Sequence, residues 1–291
     1  MSLKKQKKSN WFIEDLHKNY KLMLSISSLL YEGRTKYQEI KIFENELLGK
    51  VLVLDDIIQL TEADEANYHE MMVHVPIFSS DVIEKILIIG GADGGILREV
   101  LKHSVGEVTL VDIDGEVIDI CKEYLPAISR EAFKNDRVEI IVDDGVKFLE
   151  KTAKEFNIII VDSPDPYGPA ESLFSENFYR DISKKLTSNG LAVFQGGVPF
   201  LQKKQFIKMN NDLSKSFNFY GFYFVTVPTY SGGAMALGWG SNSVDLKLSN
   251  FRKIENKIIN SSFDFKYYNP SIHHGSFAIP EHLKEIMRQK K

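Results

Sequence analysis

Two regimes of hydrophobic patterning divide the chain. Up to about residue 75, apolar positions come in short runs broken by turn residues. Residues 36–43 carry branched or aromatic side chains at Tyr37, Ile40, Ile42 and Phe43, and Glu44-Asn45-Glu46 with Gly49 separate them from residues 50–54 and 57–61. Runs this short, bounded by such residues, predict antiparallel β-strands, in a unit too small to stand comfortably alone. A helical pattern begins at Tyr68-His69-Glu70-Met71-Met72 and leads towards Pro76. From Glu84 strands and helices alternate. Residues 85–89 form a continuous apolar run ending in Gly90, as a strand buried on both faces should. Further strands are expected at 108–111, 138–142, 157–161 and 191–194. Helices are expected through Leu97, Val100 and Leu101, at 117–124, near 146–150 and at 176–186. Residues 217–227 and 234–239 read as a closing antiparallel pair around 228–233. This alternation predicts a mainly parallel, doubly wound sheet, whose ligands bind beyond the carboxyl ends of the strands. The expected organisation is a β-rich domain over residues 1–75 and an α/β domain over 76–291.

Composition narrows the class. The chain has 291 residues, 43% hydrophobic and 26% charged, ordinary for a globular protein with a sizeable core. A net charge of −4 argues against a nucleic-acid binder held by phosphate contacts. The single cysteine, Cys121, excludes an intrachain disulfide framework and a cysteine-based metal cluster, and its apolar helical setting reads as a buried structural thiol. No apolar run approaches the roughly 20 residues of a membrane span. Lys4, Lys5, Lys7 and Lys8 have no apolar segment behind them, so they read as a solvated tail rather than a signal peptide. A cytoplasmic setting is the expectation.

The chemistry lies in the loops after the strands. Gly90-Gly91-Ala92-Asp93-Gly94-Gly95 follows a strand and opens a helix, where glycines let a ligand approach the main chain. Such a loop alone is a weak signal, equally readable as a tight turn with nothing bound. Asp93 changes the picture: a phosphate-binding loop does not aim a carboxylate at an anion, so this one is built for a cation. The second strand ends Val111-Asp112-Ile113-Asp114, some 20 residues on. Asp112, at the strand's end, is the candidate for ribose hydroxyls, whereas Asp114 is placed to cap the next helix. Asp143-Asp144-Gly145 follows the third strand; a carboxylate there suits an adenine amino group or, equally simply, a helix cap. After the fourth strand comes Asp162-Ser163-Pro164-Asp165-Pro166-Tyr167-Gly168-Pro169, two acids three residues apart on a proline-stiffened loop. Acids after successive strands describe a nucleoside pocket beside a polycation pocket.

These blocks resemble the signature blocks of the spermidine synthase family, in its order and at its spacing. So do Tyr37-Gln38, residues 51–55 with 58–61, residues 64–70 and Pro228-Thr229-Tyr230. The resemblance runs over residues 11–239 and leaves the last fifty residues without a recognisable block. It implies a Rossmann-like, class I methyltransferase-like sheet behind a small antiparallel β domain. It also implies transfer of an aminopropyl group from decarboxylated S-adenosylmethionine, a co-substrate, to putrescine, with no metal or cofactor. By motif, Gln38, Gly90, Asp112, Asp144, Gly145 and Pro169 would hold the methylthioadenosine portion of the donor. Asp93 and His69 would lie around the aminopropyl arm and acceptor. Tyr68, Asp162 and Asp165 would bind the diamine, with Asp162 the proton acceptor, and Gln195, Tyr230 and Trp11 would line its channel. Pro164 stands where the family has Ser or Thr, and Asp112 where it has Glu.

Other readings attach to some of these residues. His69 also suits a packed helix histidine, and Trp11 an anchor for the N-terminal segment. Tyr68 and His69, being adjacent, face different sides of a helix, so both need not enter one pocket. His103 reads as capping or flanking its helix. The rival functions are an S-adenosylmethionine-dependent methyltransferase, an NAD-dependent oxidoreductase and a silent polyamine-binding protein. Cadaverine and agmatine stand beside putrescine as acceptors. Unpaired strand edges in the N-terminal unit suggest a homodimer or homotetramer. No nucleic-acid or membrane partner is expected.

Overall fold

A computed structural model describes residues 10–166 and 168–288, with only the backbone of residue 169. The N-terminal lysine run and the side chain of Pro169 therefore lie outside the described residues. The chain divides into two compact units between Asp64 and Glu65.

The first unit is all β. Strands β1 (Asn10–Ile13) and β2 (Met23–Ile26) form an antiparallel ribbon. Strands β3 (Ser28–Arg34), β4 (Glu39–Asn45), β5 (Gly49–Leu54) and β6 (Ile57–Thr61) form a four-stranded antiparallel meander. The β5–β6 turn has Asp55 and Asp56 at φ 47° and 58°, and two left-handed residues suit the twist of a tight hairpin. Phe12, Phe43, Val51, Val53 and Ile58 make the unit's small core. The pattern from residue 36 onward predicts the last three strands. The first three were not foreseen, because Trp11, Ile13, Met23 and Leu29 are about half exposed and no clean alternation marks them.

The second unit opens with helix α1 (Glu65–Ser79). The expected boundary at 75/76 falls inside α1. This helix is buried along almost its whole length, Pro76 included, and packs on α2 and the sheet of its own unit. Then come β7 (Lys85–Gly90), α2 (Gly95–Leu101), β8 (Glu107–Asp112), α3 (Gly115–Tyr124), α4 (Pro126–Ser129), β9 (Val138–Val142) and α5 (Gly145–Lys151). The chain continues through β10 (Phe156–Asp162), α6 (Glu176–Lys185), β11 (Leu186–Gln195), α7 (Lys203–Ser216), β12 (Phe219–Val225) and β13 (Met235–Ser241). The seven strands lie in the order β12-β13-β11-β10-β7-β8-β9. β11, β10, β7, β8 and β9 are parallel, while β13 runs antiparallel to both β11 and β12. The doubly wound sheet and its closing antiparallel pair are as expected.

The apolar run of β7 has a direct reading. Ile86 and Ile88 enter the core on the α1–α2 face, and Leu87 and Ile89 enter the core on the α6–α7 face. A strand covered on both sides has no polar positions to alternate with. β7 and β10 are neighbours from which the sheet is wound in opposite directions, so the crevice at their carboxyl ends is the topological switch point.

Helices α8 (Phe251–Ser261), α9 (Pro270–Gly275) and α10 (Glu281–Arg288) form the tail. The Glu70 carboxylate ties it to α1 by accepting the amides of Lys266, Tyr267 and Tyr268 at 2.8, 2.9 and 2.7 Å. No helix among the described residues is long and apolar enough to cross a membrane.

Candidate active site

Backbone contact between β7 and β10 builds the floor of the site. Gly90 ends β7 opposite Asp162 at the end of β10, and Gly91 N donates to the Asp162 carbonyl at 3.2 Å. Gly90 has φ 84°, and a Cβ on it would overlap that carbonyl oxygen. Only glycine satisfies both constraints. At the start of α2, a Cβ on Gly95 would overlap the His69 ring. The glycine loop thus brings backbone against a carboxylate loop and an imidazole. Asp93 is turned back by its own loop, Oδ1 accepting from Gly95 N at 2.7 Å.

Three elements converge here. From α1, Tyr68 Oη donates to Asp162 Oδ1 at 2.7 Å. His69 Nε2 lies 3.4 Å from Asp93 Oδ1. One side-chain atom each from His69, Asp93 and Asp162 falls within 4.8 Å of the others. The adjacent residues Tyr68 and His69 therefore do enter one site. Their side chains diverge, but the acids they meet sit on the neighbouring strand ends of β10 and β7.

Burial pushes the Asp162 carboxyl up to about 6, Asp93 adds to the rise, and His69 and the Tyr68 hydrogen bond oppose it. Burial and the Asp162 charge push the Tyr68 phenol well above its ordinary value, so it remains a donor. For His69 burial alone would favour the neutral ring, but Asp93 and Glu65 outweigh it and raise the imidazole to about 9. It is an imidazolium at neutral pH, with both nitrogens donating. It also sits buried in a packed helix.

Glu65, which the sequence did not single out, is the anchor. Its Oε2 accepts from His69 Nδ1 at 2.6 Å and from Arg98 Nη2 at 2.7 Å. Arg98 also donates through Nε to Glu99 at 2.8 Å and through Nη1 to the Ile128 carbonyl at 2.6 Å. Burial opposes ionisation of Glu65, but His69 and Arg98 win and lower it to about 2. A folded-state value of about 9 for His69 against an ordinary 6.5 gives a stabilisation complete below about pH 6.5 and lost as pH rises through about 9. Glu65→Gln is expected to bring the His69 titration down and flatten that part of the stability–pH curve. Histidine NMR titration alongside urea unfolding would check it, and an unmoved midpoint would exclude Glu65 as the anchor.

The donor-side acids lie at the next strand ends. Asp112 ends β8, and its Oδ1 accepts from Asp114 N at 2.8 Å. Burial pushes its carboxyl to about 7, the Asp114 amide opposing and the charges of Asp114, Asp162 and Asp93 adding. Asp114 occupies the N-cap position of α3 but makes no side-chain cap, so the capping expected of it does not occur. Asp144 does cap α5, Oδ1 accepting from Val146 N and Lys147 N at 2.8 and 3.4 Å, and Gly145 is that helix's first residue.

On the other side, Asp165 Oδ1 accepts from Gln195 Nε2 at 3.2 Å and Oδ2 from Gln202 Nε2 at 2.8 Å. Gln202, like Glu65 and Arg98, was not singled out by the sequence. Tyr230 stands edge-on to Tyr68 with ring centroids 6.2 Å apart. Gln38 and Trp11 belong to the first unit, Gln38 half-buried in the turn before β4 and Trp11 in β1. His103 follows α2 and is buried, its Nε2 2.9 Å from His74 Nδ1, rather than capping the helix. Periodicity offered a partial signal for Glu65, which lies one helical turn before His69. Nothing local marked Arg98 or Gln202.

Comparison with known proteins accords with this geometry. Residues 65–250 match the spermine/spermidine synthase domain, and residues 10–62 match the spermidine synthase tetramerisation domain. A polyamine aminopropyltransferase of Ruegeria sp. (strain TM1040) is 42% identical over 280 residues, covering 96% of this chain and 99% of that protein. Polyamine aminopropyltransferase 1 of Pseudomonas aeruginosa is 44% identical over 275 residues, covering 94% and 96%. The crystal structure of a spermidine synthase in complex with the transition state analogue AdoDATO superposes with a TM-score of 0.92 at 34% identity, covering 98% of both chains. That of the Thermotoga maritima spermidine synthase gives 0.89, also at 34% identity, covering 98% of this chain and 97% of that one. The chain belongs to the spermidine synthase family and is a polyamine aminopropyltransferase.

Proposed function

We propose that the chain transfers the aminopropyl group of decarboxylated S-adenosylmethionine to putrescine, giving spermidine and methylthioadenosine. The observation that carries this reading is the part-buried Asp162 carboxylate, held by Tyr68 and clustered with Asp93 and His69 at the switch point. A protonated diamine and a sulfonium donor both bring positive charge to that cluster.

In this reading Gln38, Gly90, Asp112, Asp144, Gly145 and Pro169 hold the methylthioadenosine portion. Asp93 pairs with the donor's terminal ammonium and repels the carboxylate of ordinary S-adenosylmethionine, selecting by repulsion as well as attraction. The acceptor's amines titrate near 10, so one must lose a proton before its lone pair is available. Asp162, with its raised carboxyl, takes that proton, and Tyr68 fixes the amine in line. The nitrogen then attacks the carbon next to sulfur; a C–N bond forms, the C–S bond breaks, and its electron pair leaves with sulfur as a neutral thioether. Charge and atoms balance without a cofactor. The imidazolium of His69 offsets the repulsion between Asp93 and Asp162, which keeps Asp162 ionised near neutrality. Asp165 holds the far ammonium, with Gln195, Tyr230 and Trp11 lining the channel. A cytoplasmic setting and homo-oligomeric assembly belong to the same proposal, the latter supported by the tetramerisation-domain match.

The test is release of methylthioadenosine by the purified protein with decarboxylated S-adenosylmethionine and, separately, putrescine, cadaverine, agmatine and spermidine. Fastest release is expected with putrescine. Release fastest with another amine would overturn the assigned acceptor. No release with any of them, together with transfer of a labelled methyl group from S-adenosylmethionine, would replace the reading with a methyltransferase.

A further inference from the structure

We infer that Gln202 is a positioning residue that sets which diamine the protein accepts, by fixing the rotamer of Asp165. The inference rests on the reading above, in which Asp165 meets the far ammonium of the acceptor.

Asp165 is held from two sides. Gln195, at the end of β11, donates to one of its oxygens, and Gln202, immediately before α7, donates to the other at 2.8 Å. The orientation of Gln202 is determined by its other end. Oε1 accepts from the Val198 amide at 2.6 Å, and a backbone N–H can only donate, so the Nε2 end faces the carboxylate. The backbone of Gln202 closes the same loop, its N donating to the Val198 carbonyl at 2.8 Å. Gly197, at φ 69°, lets the loop pass close to this amide, since a Cβ there would press on Gln202 Oε1. Gln202 is therefore fixed by three hydrogen bonds before any substrate arrives.

Gln195 supplies an independent pointer to a ligand. Its Oε1 is buried with no hydrogen-bond partner among the described residues, and a buried acceptor left unpaired is costly unless something occupies it. The far ammonium of a diamine brings three N–H donors, enough for Asp165 and Gln195 Oε1 together. With both oxygens of Asp165 pinned, the ammonium seat stands at a fixed distance from Asp162, and that distance measures the acceptor. Without the Gln202 bond the Asp165 carboxylate is free to rotate, and the measure is lost.

Two variants separate positioning from folding. Gln202→Leu removes both side-chain bonds. Gln202→Glu keeps an acceptor for Val198 N but, when ionised, cannot donate to Asp165 and instead repels its carboxylate. In both, KM for putrescine is expected to rise about tenfold or more, the worth of one hydrogen bond to a charged group. The preference for putrescine over cadaverine should narrow, while KM for the donor stays at the wild-type value. A residue that served only the fold would lower melting temperature and impair donor and acceptor alike, and that result would overturn the inference. Unchanged putrescine KM and preference in an active, folded Gln202→Glu variant would also overturn it. Failure of the wild-type protein to use any diamine would instead remove the underlying reading.

Discussion

Asp162→Asn should lower kcat/KM by about 10²–10⁴-fold, the usual contribution of a positioned general base. Asparagine has nearly the shape of aspartate, and its amide oxygen can still accept from Tyr68 Oη, so the site should keep its form while losing its proton acceptor. Methylthioadenosine binding, measured by calorimetry, is expected to stay close to wild type. The wild-type enzyme carries a further signature. Because burial and Asp93 raise the Asp162 carboxyl to about 6, its ionised fraction, and with it kcat/KM, should fall as pH drops through about 6. The residual activity of the variant should lack that limb. A folded variant that binds methylthioadenosine and turns over near the wild-type rate would refute the role of Asp162.

Gly90→Ala should be the most damaging small substitution in the glycine loop. A left-handed backbone costs a residue with a Cβ about 1–2 kcal/mol, and here the Cβ would also overlap the Asp162 carbonyl. That carbonyl cannot yield without moving the loop that follows β10, because Gly91 N is bonded to it. Destabilisation above about 4 kcal/mol is expected, with loss of methylthioadenosine binding in whatever fraction stays folded. Gly275→Ala is the matched control. It lies in α9, with open space where its Cβ would go, so a gain of about 0.5–1 kcal/mol is expected. Urea unfolding of both variants decides the matter, and equal effects at the two positions would contradict the close-approach argument.

The Glu65 network shows why a site of this kind needs support away from the substrate. Asp93 and Asp162 are like charges with converging oxygens, and alone they would share a proton. An imidazolium between them relieves this only if it stays charged when buried. Asp93 and Glu65 together secure that charge, and His69 and Arg98 in turn keep Glu65 ionised. The buried charges are paired in sequence, each satisfied by the next, as buried ions must be.

Most of the frame was legible from local pattern. The two-sided burial of β7 and β10 appears as uninterrupted apolar runs, since a strand covered on both faces has no reason to alternate. The glycine loop and the acids at Asp93, Asp112, Asp144, Asp162 and Asp165 were legible because doubly wound sheets put strand-end loops on one rim. Residue order alone then groups them. Strands β1–β3 escaped because their large side chains are half exposed, which blurs the period of two. Helices α8–α10 escaped because no recognisable motif covers them, and the bonds that tie them down are backbone amides on Glu70, distant in sequence.

What the tertiary structure alone decided is partnership. The boundary near residue 75 was expected from the end of β-like patterning, but α1 is buried on nearly all sides and carries no polar stripe to show what it packs against. Tyr68 and His69 diverge by helix geometry, yet they serve one site because β7 and β10 are adjacent in the sheet. Asp114 sits at a cap position without capping, while Asp144 caps. Glu65, Arg98 and Gln202 act through partners 4 to 37 residues away. A sequence determines which elements form and which rim bears the charge, because those depend on period and chain order. Which charges meet, and which remain ionised when they do, depends on packing between elements distant in the chain.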